Sequence, residues 1–117
     1  MNEHYCISPN LQVLSLTSIL DEWENRNLLR DLQQRINDGI NQFVVDLAEV
    51  KIINSVGINF LLSLLSRVKK ANGQLFLMNV SDYVYRLLDV TKLTSVFEMM
   101  TSADDAVLEL EEETMFA

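Results

Sequence analysis

Two apolar runs of strand-favouring residues, Phe43-Val44-Val45-Asp46-Leu47 and Leu75-Phe76-Leu77-Met78, flank a long amphipathic stretch. Runs this short and this apolar suit strands covered on both faces. Between them, Phe60, Leu64, Val68, Leu61, Leu65, Ile58 and Leu62 fill an arc of about 200° on a wheel of about 100° per residue. That spacing predicts a helix from Ser55 to Lys70, closed by Asn72-Gly73. Ser81 then caps a short helix with Val84, Leu87 and Leu88 on one side, and Ser95–Met99 reads as a weaker strand. Ser102 to Asp105 has the form of a capping box ahead of Ala106, Val107 and Leu110. Strand and helix alternating in this way imply parallel strands joined by right-handed crossovers.

The first third adds an antiparallel start. Residues 4–8 and 12–16 read as short strands with a turn at Pro9-Asn10, a hairpin signal. From Asp21 to Asp38 the apolar Leu28, Leu29, Leu32 and Ile36 keep helical spacing, and Gly39 is a natural stop. The expected fold class is therefore α/β, a mixed, mostly parallel sheet with about four helices. With 117 residues and 49% apolar content, the chain is expected to form a single domain over 1–117, its core at 4–112.

Charge is unevenly placed. Residues 1–92 hold ten acids and nine bases, whereas 93–117 hold seven acids and no base, giving the net −8. The acidic end is 109–117. Lys51, Arg67 and Lys70 are among the bases closest in sequence to Ser55. No clustered Lys/Arg stripe of the kind that grips a phosphate backbone is visible, so direct nucleic-acid partners and anionic membranes are not expected. The apolar run at Phe60–Leu65 is too short to span a bilayer, and the N-terminus lacks the pattern of a signal peptide. One cysteine, Cys6, excludes an internal disulfide, and a reducing cytoplasm is the expected compartment.

Conventional catalytic sets are missing. A triad would have to use His4, in an edge strand, with no third group in sight. Cys6 and His4 make a poor metal set, and Gly39, Gly57 and Gly73 are isolated, so no phosphate loop exists. No cofactor and no metal are expected. Asp46 near the end of a buried strand invites comparison with a phosphoacceptor receiver domain. Such a domain needs an acidic pair after its first strand and a lysine after its last; both are lacking. Trp23, Tyr83 and Tyr85 are assigned to core or helix packing, and Met99-Met100 to gap filling.

The informative segment is Ile53-Asn54-Ser55-Val56-Gly57, which opens the apolar helix. Opposite the apolar arc, Ser55, Asn59, Ser63 and Ser66 form a narrow polar strip of small residues. Ser55 reads as the helix N-cap, and equally as an exposed hydroxyl that a kinase can reach. A phosphate there adds about −1.5 to −2 charges and three acceptor oxygens. A helix N-terminus tolerates that charge, whereas a partner packed over it does not.

These residues resemble the STAS domain family, specifically bacterial anti-sigma factor antagonists. The resemblance runs from about residue 12 to about residue 110. Its elements are Leu16-Thr17-Ser18-Ile19-Leu20-Asp21, Val45-Asp46-Leu47, Asn54-Ser55-Val56-Gly57, Asn72-Gly73-Gln74-Leu75 and Val84-x-x-Leu87-Leu88. It implies that Ser55 is the phosphoacceptor and that Asp21 contacts the partner. The partner-binding set is then Asp21, Asn54, Ser55, Val56, Gly57, Asn59 and Ser63. The implied partners are an anti-sigma factor that is often itself a serine kinase of the histidine-kinase-like ATPase fold, and a metal-dependent serine phosphatase. Two positions depart from the family's Asp-Ser-Ser/Thr-Gly motif: Asn54 replaces its Asp and Val56 its second hydroxyl. The departures leave open a second reading, a phosphorylation-independent STAS accessory subunit of a transporter or lipid-trafficking complex. An enzyme ranks last, because no nucleophile–base pair can be assembled.

Overall fold

The structure, a computed structural model, describes residues 3–8 and 10–100. The elements are β1 (Glu3–Ser8), β2 (Leu11–Ser15), α1 (Glu22–Asn37), β3 (Gln42–Asp46), α2 (Ser55–Lys70), β4 (Gln74–Met78), α3 (Asp82–Val90) and β5 (Glu98–Met100). They form one five-stranded sheet in the order β1-β2-β3-β4-β5. β1 pairs antiparallel with β2, and the remaining pairs are parallel. The expected mixed, mostly parallel α/β fold is therefore the observed one. Three helices lie among the described residues; the helix expected after Ser102 falls outside them.

Side-chain alternation sorts the sheet into two faces. On one, Leu14, Phe43, Val45, Leu75 and Leu77 meet Leu32 of α1, Phe60, Leu61, Leu64 and Val68 of α2, and Val84 and Leu88 of α3. All three helices thus cover the same face. Burying each of these large side chains stabilises the fold by about 1.5–3 kcal/mol. The other face carries Leu11, Val13, Val44, Phe76 and Met78, also buried. Met99 and Met100 point to opposite faces, each filling the edge of one cluster.

Ends are set by local chemistry. Asp21 caps α1 by accepting from Glu24 N at 2.8 Å, and Ser81 caps α3 through Val84 N at 3.2 Å. Gly39, with φ of 110°, ends α1 in a conformation that a side chain would strain. β5 starts later than Ser95–Met99 suggested. Successive turns hold the chain after α3, with Leu93 N donating to Leu88 O and Val96 N to Leu93 O. Phe97 is buried in the helix-side core before pairing begins at Glu98.

Three aromatic assignments are corrected. Trp23 is 69% exposed, Tyr83 55% and Tyr85 48%. Tyr83 and Tyr85 straddle Val84, the residue that points inward, so both are turned outward. Trp23 lies off the Leu28–Leu32–Ile36 stripe, on the solvent side of α1.

Candidate functional site

All three parallel crossovers enter their helices from the carboxyl ends of β2, β3 and β4, so the β2–α1, β3–α2 and β4–α3 loops gather at one sheet end. Clefts at such ends are where open α/β sheets usually bind ligands. Asp46, at the end of β3, ties two of these loops together: its Oδ1 accepts from Ala48 N and from Asn79 Nδ2, each at 3.0 Å. It is a bracing carboxylate. Among the described residues no group of three His, Cys, Asp or Glu could hold a metal ion.

At α2 the structure corrects the N-cap. Asn54, not Ser55, holds that position: its Oδ1 accepts from Gly57 N at 3.0 Å and its carbonyl from Ile58 N at 3.0 Å. Adjacent Asn and Ser are both good caps, and the one that reaches the third helical N–H wins. Ser55 becomes the first helical residue, exposed, its hydroxyl not consumed by capping. The Ser55 and Val56 N–H groups have no acceptor within the helix, which leaves two donors and the positive end of the dipole beside that hydroxyl. No acidic residue occupies the first turn of α2.

Gly57 is buried and presents no surface of its own. A Cβ there would lie 2.6 Å from Ile53 Cγ1, 3.0 Å from Ile19 Cγ1 and 3.1 Å from the Ile19 carbonyl. Its hydrogen atom lets the start of α2 settle against the β2–α1 loop. This contact brings the loop bearing Asp21 up to the helix bearing Ser55. The same Ile19 carbonyl accepts from Asn25 Nδ2 at 2.8 Å, and Asn25 is buried. Sequence reasoning missed Asn25, although its place about two turns before Leu32, on the inward side of α1, signals a buried amide. Replacing it with Ala strands the carbonyl, with an expected loss of about 1–3 kcal/mol. Urea unfolding measures the loss.

Asp21 is exposed, with one oxygen spent on capping. Asn59 is exposed, and Val56 and Ser63 are half-buried. From Asn59 to Ser66 the polar strip forms the α2 wall of a groove against α1. Near Ser55, Val56, Asn59 and Ser63 face Glu22, Arg26 and Leu29 around an open space of about 250 Å³. Beyond Ser63 the groove widens to about 690 Å³ between Gln33, Asn37, Ser66, Arg67 and Lys70. Of the predicted set, Val56, Asn59 and Ser63 line this groove, Asn54 and Ser55 open the helix ahead of it, and Asp21 caps α1 from the β2–α1 loop. Arg67 and Lys70 are not beside Ser55: twelve helical residues put Arg67 about 18 Å down the axis. Leu20 and Ile52 add exposed apolar side chains to the loops of this end.

Among the described residues no helix is long and apolar enough to cross a membrane. Several solved structures share the fold. TM1081 from Thermotoga maritima matches at TM-score 0.81 with 19% identity, over 92% of each chain. The unphosphorylated anti-sigma factor antagonist SpoIIAA matches at TM-score 0.81 with 14% identity, over 96% of this chain and 97% of that one. The murine anion transporter Slc26a9 matches at TM-score 0.71 with 20% identity, over 88% of this chain and 18% of its own length. Identities this low establish the fold alone. The STAS domain model matches residues 6–106. With that span covering most of the sequence and the sheet order, crossovers and α2 entry in place, the chain belongs to the STAS domain family.

Proposed function

We propose that this chain is an anti-sigma factor antagonist, a protein-binding module switched by phosphorylation of Ser55. Unphosphorylated, it sequesters an anti-sigma factor that is also a serine kinase of the histidine-kinase-like ATPase fold, and so releases a sigma factor in the cytoplasm. A serine phosphatase reverses the modification. The chain acts as one STAS-like unit over 1–117, touches neither nucleic acid nor membrane directly, and catalyses nothing itself. The observation that carries this reading is the exposed Ser55 hydroxyl at the first helical position, left free because Asn54 does the capping. Asp21, Asn54, Ser55, Val56, Asn59 and Ser63 supply the contact surface, with Gly57 shaping it from beneath. Likeness to SpoIIAA supports the same assignment.

Incubation with the cognate kinase and ATP, followed by mass spectrometry, tests the switch: phosphate on Ser55 is expected, and its absence would refute phosphorylation there. The exchange of the family's Asp for Asn54 keeps the cap and removes a charge. Asn54→Asp is therefore expected to retain the Gly57 hydrogen bond and to stabilise the protein by about 0.3–1 kcal/mol through the helix dipole. A thermal melt at low salt checks the sign.

A second reading has the likeness to Slc26a9 in its favour: a phosphorylation-independent accessory module of a transporter or lipid-trafficking complex. Co-purification with an ABC-type ATPase, with Ser55 unmodified, would select it.

A further inference from the structure

We propose that the α1–α2 groove is a docking cleft for an acidic helical segment of the protein partner, meeting the Ser55 surface along Asn59 and Ser63 and running away from it toward Lys70; the inference rests on reading the chain as a protein-binding module. The sequence is strongly acidic, with seventeen acids against nine bases. Yet four of those nine bases, Arg26, Arg30, Arg67 and Lys70, converge on this groove. Among the described residues Glu22 is the one carboxylate lining it. Glu22 pairs with Arg26 at 3.3 Å, but the two side chains are 75% and 66% exposed. So open a pair contributes little and is readily exchanged.

The other three cations have no carboxylate partner among the described residues. Arg67 is the telling one. It is half-buried, and its Nη1 donates at 3.0 Å to Gln33 Oε1, a neutral acceptor across the groove. The guanidinium is thus held in place with its charge uncompensated and several of its five donors still available. A carboxylate arriving there gains a charge-assisted hydrogen bond without the cost of ordering the arginine. Ser63 and Ser66 keep the α2 wall beside Arg67 low, so a backbone can approach closely. Two helices lying side by side offer a trough in which a third helix fits. The net −8 repels an acidic ligand at a distance, but that field is screened beyond about 8 Å at physiological salt, inside which the four local cations dominate.

The test titrates the isotope-labelled full chain with a Glu-rich helical peptide of about 16 residues, matched to α2 at about 1.5 Å per residue. Saturable amide shifts are expected at Gln33, Ser63, Arg67 and Lys70, weakening as salt is raised. The double variant Arg30→Glu, Lys70→Glu alters two exposed side chains and is expected to weaken binding at least about tenfold, with an unchanged circular dichroism spectrum. Arg67→Gln, which keeps the contact to Gln33 within reach, is expected to weaken it as well. Equal affinity for the double variant, equal shifts with a Lys-rich peptide, or preferential binding to vesicles of anionic phospholipid would overturn the proposal. The peptide assay needs neither a kinase nor a modified Ser55. Its failure therefore leaves the phosphorylation switch standing, and a Ser55 that never switches leaves the groove result standing.

Discussion

Gly73→Ala is expected to cost about 3 kcal/mol or more, the largest stability effect of a methyl added at any of the three glycines. The reason is not backbone conformation, since the left-handed residue of this turn is Asn72, with φ of 59°. Gly73 lies where β4 begins beside β3. A Cβ there would overlap the Asn41 carbonyl oxygen and lie 2.7 Å from its carbon. That carbonyl cannot retreat, because it accepts from Gln74 N at 3.0 Å, while Gly73 N donates to Val68 O at 2.9 Å. The clash is backbone against backbone at the root of the sheet. Domains of this kind hold only about 5–15 kcal/mol in all. At about 1–3 kcal/mol per molar of urea, the midpoint should fall by about 1 M or more. Asn72→Gly, which relieves a strained φ, is expected to leave the midpoint nearly unchanged. The opposite ranking would mean that the glycine serves the turn and not the close approach.

The second large effect is on binding. Ser55→Asp places a negative charge on the exposed first residue of α2, where the Ser55 and Val56 N–H groups stabilise it within the molecule. Stability should therefore hold or rise slightly. Affinity for the anti-sigma partner should fall, because a charge in the contact surface must be desolvated and meets whatever acid the partner presents. Like-charge contacts cost several kcal/mol, and each 1.4 kcal/mol or so is tenfold in affinity. A loss of at least about thirtyfold is expected for Ser55→Asp, with Ser55→Ala close to the wild type. Calorimetric titration separates the two variants.

Much of this architecture was legible before the structure. The Ser55–Lys70 helix, the Ser81 cap and the parallel alternation follow from periodicity and short-range capping chemistry. What escaped depends on distances between segments far apart in sequence. Asn72-Gly73 reads as an ordinary turn, and only the approach of Asn41 shows why the glycine is needed. Asn54 and Ser55 are equivalent caps on paper, and one residue of phase decided which hydroxyl or amide was spent. Asn25 shares the inward side of α1 with Leu32, but the Ile19 carbonyl that it satisfies becomes visible only in three dimensions. The polar strip on α2 was visible as a strip, but its being one wall of a groove required the position of α1. Trp23, Tyr83 and Tyr85 were misplaced because size was given more weight than phase on the helix.

The central claim is that Ser55 switches partner binding. The most direct measurement is the affinity of the unmodified chain and of the same chain phosphorylated by its cognate kinase, with the modified residue identified by mass spectrometry. The account predicts phosphate on Ser55 and at least about thirtyfold weaker binding to the anti-sigma partner. Equal affinity of the two forms, or phosphate confined to another residue, would contradict it.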